Sequence, residues 1–126
     1  MEINCRHSEP LLLGVGREII TPKVGARLYG YGPDVRSIGI HDDLTATAFA
    51  FRQGNTRAVM VSVTVCVINE DLADRIRLKA ERTLGIPKEH ILLCATHTHC
   101  GPATAGNNTG WGGVDAEYCE TKDMTF

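Results

Sequence analysis

Residues 91–101 read ILLCATHTHCG, an apolar run that stops at two histidines, His97 and His99, with Gly101-Pro102 directly behind them. Imidazole is a good zinc ligand. Residues two apart on an extended chain project to the same side, so both rings can approach one point. Alternatively, one ring binds a metal while its neighbour moves a proton near the substrate. Gly101-Pro102 lets the chain turn sharply and leaves room for a substrate, and the hydroxyls of Thr96 and Thr98 are placed to orient the rings. The non-chemical reading is a hydrogen-bonded or exposed pair that closes a core strand. Two ligands are also too few, since a catalytic zinc takes three from the protein plus an open position. The other histidines add little. His7 lies in a polar leader and His90 at the start of the strand, the opposite pole from the pair. His41, followed by Asp42 and Asp43, either reaches a pocket or is a surface loop residue.

The elements that must carry this pair follow from periodicity. LLLGVGREII (11–20) reads as a strand closed by Thr21-Pro22. Its Gly14-x-Gly16 lacks the third glycine and the helix of a dinucleotide site. The segment 24–40, with Gly25, Gly30, Gly32 and Gly39, reads as an irregular loop. LTATAFAFRQ (44–53) and TRAVMVSVTVCVI (56–68) flank Gly54-Asn55, which predicts a β-hairpin. Both faces of 56–68 are apolar or small, so that strand is expected to be covered on both sides. Asn69 predicts an N-cap with Glu70 and Asp71 in the first turn. Leu72, Ile76, Ala80 and Thr83 or Leu84 form an apolar helical face, and Gly85 ends the helix. The strand 90–96 then completes a βαβ unit with parallel strands. The fold class is therefore α/β, a mixed sheet with a β-hairpin and a βαβ unit. His97 and His99 fall outside the carboxyl end of a strand, where open α/β sheets bind ligands.

Composition excludes more than it assigns. The 126 residues carry 13 basic and 15 acidic side chains for a net charge of -2, and 43% are hydrophobic. No basic footprint for nucleic acid is present. No run approaches the roughly 20 apolar residues of a membrane span. The start, MEINCRHSEPLLLGVG, lacks the h-region of a signal peptide, which places the chain in the cytoplasm as written. The sequon Asn107-Asn108-Thr109 is then idle. The five cysteines, Cys5, Cys66, Cys94, Cys100 and Cys119, have no disulfide-framework spacing, and Cys66 and Cys94 read as small hydrophobes inside apolar runs.

Four segments, GVGREIITP (14–22), LYGYG (28–32), GIHDDLTATAFAF (39–51) and LGIPKEHILLCATHTHCGP (84–102), resemble in order and spacing the amino-terminal part of the neutral/alkaline, non-lysosomal ceramidases. ATHTHCGP is the most specific of them. The family pattern has Ser where Cys100 stands, which leaves both histidines but removes a hydroxyl beside them. The resemblance implies a zinc amidase that cleaves the N-acyl bond of ceramide into sphingosine and a fatty acid. It maps a zinc ligand onto His97 and a catalytic residue, lying against metal and substrate, onto His99. The implied partner is a lipid-like N-acyl amide substrate, the cofactor is Zn2+, and members of the family are often secreted. Two other HxH hydrolases fit less well. A metallo-β-lactamase-type site continues to Asp-His, whereas this chain continues Cys100-Gly101-Pro102. An amidohydrolase barrel needs many more βα units.

On this reading residues 1–11 are a polar leader and 12–126 a partial amino-terminal region of the catalytic domain. The family's remaining zinc ligands (a His, a Glu and a Tyr) and its serine and arginine are expected downstream, and Trp111 and Tyr118 are not substitutes for them. The tail 114–126, with Asp115 a possible N-cap, reads as a helix of about two turns. Two expectations result. One is the front portion of a zinc-dependent amide hydrolase. The other is a catalytically inactive truncated or structural domain without metal, in which an uncovered strand 56–68 would drive association.

Overall fold

The computed structural model describes residues 9–32 and 34–104. His7, Cys5, Cys119, Trp111, Tyr118, the Asn107–Thr109 sequon and the expected helix at 114–126 lie outside them.

The alternating segments pair as their patterns require. β1 (Leu12–Ile19) runs antiparallel to β2 (Thr45–Gln53), which turns at Gly54-Asn55 into antiparallel β3 (Thr56–Val63). Gly54 takes φ +57°, the left-handed conformation that a two-residue hairpin loop needs. The helix α1 (Glu70–Leu84) and a single 3₁₀ turn at Lys88–His90 lead into β4 (Ile91–Ala95), which pairs parallel with β3. Among the described residues the strand order is β1-β2-β3-β4, a mixed four-stranded sheet with one α-helix, so the α/β expectation holds.

The core lies on one sheet face. Register places Ala46 opposite Val63 and Ala48 opposite Val61, and Val61 opposite Leu93 on the far side. Val61 and Val63 are buried in a cluster with Ile20, Ala46 and Val65. The face carrying Met60 and Ser62 is only half-buried, so β3 is fully covered on one side rather than two. The expectation of an exposed strand at 56–68 moves to another element. β3 is internal, and β1 is the edge whose eight residues are all exposed, Leu12, Leu13, Val15 and Ile19 among them.

α1 begins as predicted. The Asn69 side-chain oxygen accepts the Leu72 N–H at 2.9 Å, with Glu70 and Asp71 in the first turn. Gly85 closes the helix at φ +61°, its N–H donating to the Glu81 carbonyl. The buried stripe is Ala73 and Ile76, while Thr83 and Leu84 are exposed. The last turn is held by charge instead of packing. Arg57 of β3 donates to the carbonyls of Leu84 (3.2 Å) and Gly85 (2.8 Å), a cation where the helix dipole is negative. Asn69→Ala is expected to lower stability by about 1 kcal/mol, the usual worth of an N-cap, read as a reduced urea midpoint with unchanged slope.

Candidate metal centre

The apolar run 56–68 does not remain a strand to its end. Thr64 N–H reaches back to the Thr45 carbonyl, and Val65 N–H folds onto the Val63 carbonyl at 2.9 Å, an i to i+2 contact that ends the ladder. Beyond β4 the chain stays beside this bend. Thr96 N–H donates to the Val63 carbonyl and His97 N–H to the Val65 carbonyl, each at 3.0 Å. The ends of two parallel strands therefore converge, and Cys66 meets His97 across 31 residues of sequence.

His97 is held in a strained conformation. Its φ is +63°, the left-handed region that costs a side-chain-bearing residue roughly 1–2 kcal/mol. Such strain persists where surroundings over-determine it, and it concentrates at functional sites. Here the backbone N–H is tied to Val65, and ring Nδ1 lies 3.0 Å from the Cys66 carbonyl. A carbonyl only accepts, so in this contact Nδ1 carries the proton. The Cys66 sulfur is 3.5 Å from the same nitrogen. Cys66 is buried, and burial pushes its thiol pKa up, which favours the neutral form.

His99 is brought in differently from the way strand alternation predicts. Because His97 is left-handed rather than extended, the two rings meet edge to face, centroids 5.2 Å apart at 76°. His99 is half-buried, with Tyr31 edge-on at 5.7 Å. Gly30 lies directly against it: a Cβ there would sit 2.1 Å from His99 Nδ1. One donor atom each from Cys66, His97 and His99 lies within 4.8 Å of the others, a group able to hold a metal ion.

The segment behind the pair is firmly anchored, which fixes where the rings stand. Pro102 bridges to Leu28, Ala103 N–H donates to the Arg27 carbonyl at 3.0 Å, and the Thr104 hydroxyl donates to the Val67 carbonyl. Tyr29 N–H donates to Gly101 at 3.3 Å. Thr98 does not orient a ring through its hydroxyl; that oxygen accepts the Cys100 N–H at 3.1 Å.

The match to known proteins covers this whole arrangement. The family model for the neutral/alkaline non-lysosomal ceramidase amino-terminal region aligns with residues 11–119. This chain belongs to that family. The neutral ceramidase of Mycobacterium tuberculosis is 29% identical over 101 residues, 72% of this chain and 16% of that protein. Neutral ceramidase A of Dictyostelium discoideum is 35% identical over 98 residues, 72% of this chain and 14% of that protein. The crystal structure of the neutral ceramidase from Pseudomonas aeruginosa superposes with a TM-score of 0.68 at 26% identity, over 76% of this chain and 16% of that one. The chain thus spans about one-sixth of the length of the ceramidases it matches.

Within this ceramidase-family chain the other described histidines, His41 and His90, are apart from the centre. His41 is a surface loop residue, its side chain 97% exposed and 2.7 Å from the Asp42 carboxylate. His90 hydrogen-bonds the Arg57 carbonyl at the opposite end of β4. Sequence reasoning missed three neighbours of the histidine pair: Cys66, Gly30 and Tyr31. A signal for Cys66 was present, since parallel neighbouring strands end at the same pole. For Gly30 and Tyr31 the LYGYG segment offered only glycine spacing, and the bridges to 101–103 are long-range.

Gly30→Ala tests the loop's role. It adds strain at φ +91° and overlap with the His99 ring, while Gly25→Ala adds strain at φ +97° with nothing within 4 Å. Gly30→Ala is expected to cost roughly 1–3 kcal/mol from the backbone alone, more than Gly25→Ala, and to shift the His99 ring resonances in NMR spectra.

Proposed function

We propose that this chain is the amino-terminal part of a zinc-dependent N-acyl amide hydrolase of ceramidase type. Residues 12–126 are then one portion of a larger catalytic domain, and residues 1–11 a leader. The observation that carries the reading is the convergence of Cys66, His97 and His99 at the carboxyl ends of two parallel strands, in a chain that matches ceramidases. The exposed apolar side chains of β1 agree with a larger domain, because monomeric surfaces seldom leave such groups together.

Two imidazoles and a thiol are zinc-type donors, so these residues fit the metal. His97 is assigned as a ligand. Bound zinc would polarise an amide carbonyl and lower the pKa of a water molecule. His99 is assigned the proton-handling role: its ring stands beside His97, half-buried, where it can take a proton from the attacking water or give one to the leaving amine. Gly30 and Tyr31 keep that ring in place from the far side. The anchored 101–104 segment holds the approach to the pair rigid. The substrate class is an N-acyl amide with a lipid-like acyl chain, of which ceramide is the case its relatives are named for.

A dye-labelled ceramide supplies the test. The assembled full-length protein is expected to release labelled fatty acid and sphingosine in a zinc-dependent manner. The 126-residue chain alone is expected to show negligible turnover, lacking the family's other ligands. A folded, zinc-containing full-length protein that cleaves neither ceramide nor any simpler N-acyl amide would sink the proposal, as would His97-dependent turnover by the short chain.

A further inference from the structure

We infer that the aliphatic rim of the 24–40 loop seats against a lipid bilayer, so that an amide substrate reaches His99 from that surface. This rests on the lipid-like substrate class proposed above and gives that substrate a source. It is tested by binding alone, apart from turnover.

Exposure is the first argument. Single exposed aliphatic side chains are normal on a protein surface, whereas a concentration of them marks an interaction site. Val24, Tyr31, Val35, Ile38 and Ile40 are all exposed, Ile38 to 99%. They are not the side chains of a slack loop, because the segment is stitched into a small hairpin. Leu28 N–H donates to the Val35 carbonyl and Ser37 N–H to the Ala26 carbonyl, each at 2.9 Å. Gly25 N–H donates to the Ser37 carbonyl at 2.9 Å and to its hydroxyl at 3.0 Å. That contact brings the adjoining Val24 and Ile38 to the same end of the hairpin. Aliphatic groups fixed in water are stabilised by any apolar medium that takes them in, in proportion to the area removed.

Position is the second argument. The same loop is bridged to Pro102 through Leu28, and its Gly30 lies against the His99 ring. Tyr31 joins the two features, being 55% exposed and edge-on to His99 at 5.7 Å. A surface seated on this rim therefore presents its amides beside the candidate metal centre.

Charge and backbone decide the occupant. Across 23–43, Lys23, Arg27 and Arg36 are matched in number by Asp34, Asp42 and Asp43, so no net charge is present to attract nucleic acid or an acidic peptide. Seating is apolar rather than electrostatic. Protein interfaces centre on packed aromatic and arginine anchors, whereas this rim is four aliphatic side chains and one tyrosine. β1 is the contrasting case. It is also exposed and apolar, but a sheet edge carries unpaired N–H and C=O groups that another strand can satisfy and hydrocarbon cannot. In the loop the amides of Gly25, Leu28 and Ser37 are already paired, so side chains can enter lipid without stranding them.

Flotation of the full-length protein with ceramide-free phosphatidylcholine vesicles is the test. The wild-type protein is expected to float with the vesicles and to stay bound in raised salt. Ile38→Ser should weaken binding roughly tenfold and the Ile38→Ser/Ile40→Ser double variant roughly a hundredfold. Leu84→Ser, which removes an exposed aliphatic group from the end of α1, should bind like the wild type, with circular dichroism showing every variant folded. Wild-type protein that stays off the vesicles overturns the inference, the loop then being covered by the rest of the domain, and leaves the hydrolase reading standing. Binding unchanged in the double variant, or released by salt, also overturns it. Flotation that depends on Ile38 in a protein that cleaves no N-acyl amide would sink the hydrolase reading and keep this surface.

Discussion

His97→Ala is expected to strip zinc from the full-length protein and abolish amide hydrolysis with it. Even residues that only support a metal ligand cost roughly 10–100-fold in affinity when removed, and a ligand costs more, so a loss of at least about 10²-fold is expected. Metal analysis after dialysis, paired with ceramide turnover, reads both effects. Stoichiometric zinc retained by His97→Ala would disprove the assignment. The same residue makes a second, opposite prediction through its backbone. His97 sits at φ +63°, and alanine there keeps the left-handed strain while glycine relieves it. His97→Gly is therefore expected to be more stable than His97→Ala by roughly 1–2 kcal/mol, although neither binds metal. Equal urea midpoints for the two would show that the strain is not real. A residue held at a cost in stability, where glycine would be easier, is the pattern of a side chain kept for chemistry.

His99→Ala is expected to separate from His97→Ala in one respect: zinc stays while turnover falls. A positioned proton-transfer group contributes about 10²–10⁴-fold, so kcat should drop by that factor with KM changed far less. Parallel loss of zinc would instead make His99 a ligand. Gly30→Ala provides an independent check, since it leaves both histidines in the sequence and, besides straining its own backbone, disturbs the space His99 occupies. Its kinetic defect should resemble that of His99→Ala in kind and be smaller in size. A defect resembling His97→Ala would place the loop against the metal rather than against the second ring.

The element pattern was legible in the sequence because each element is encoded locally. The alternation in 44–53 and the Gly54-Asn55 turn specify a hairpin through the side-chain period of two, and Asn69 and Gly85 bracket α1 through capping chemistry. The THTH segment likewise marked its own pole of the sheet, since a strand that ends in a βαβ unit ends where ligands bind. The length of β3 was not legible. The run 58–68, apolar or small throughout, carries no mark that Val65 will fold back onto Val63.

The sequence by itself determined the α/β class, the order of the elements, the membership of a ceramidase family and the two histidines worth testing. Tertiary structure alone decided which groups surround them: Cys66 beneath His97, Gly30 and Tyr31 against His99, and the left-handed turn that swings the two rings together. The physical reason is range. Periodicity and caps act over a few residues, whereas these contacts join segments 31 or more positions apart through parallel pairing of β3 with β4 and the stitching of the 24–40 loop onto 101–103. No local propensity records such a meeting, because it exists only after the sheet has set its register.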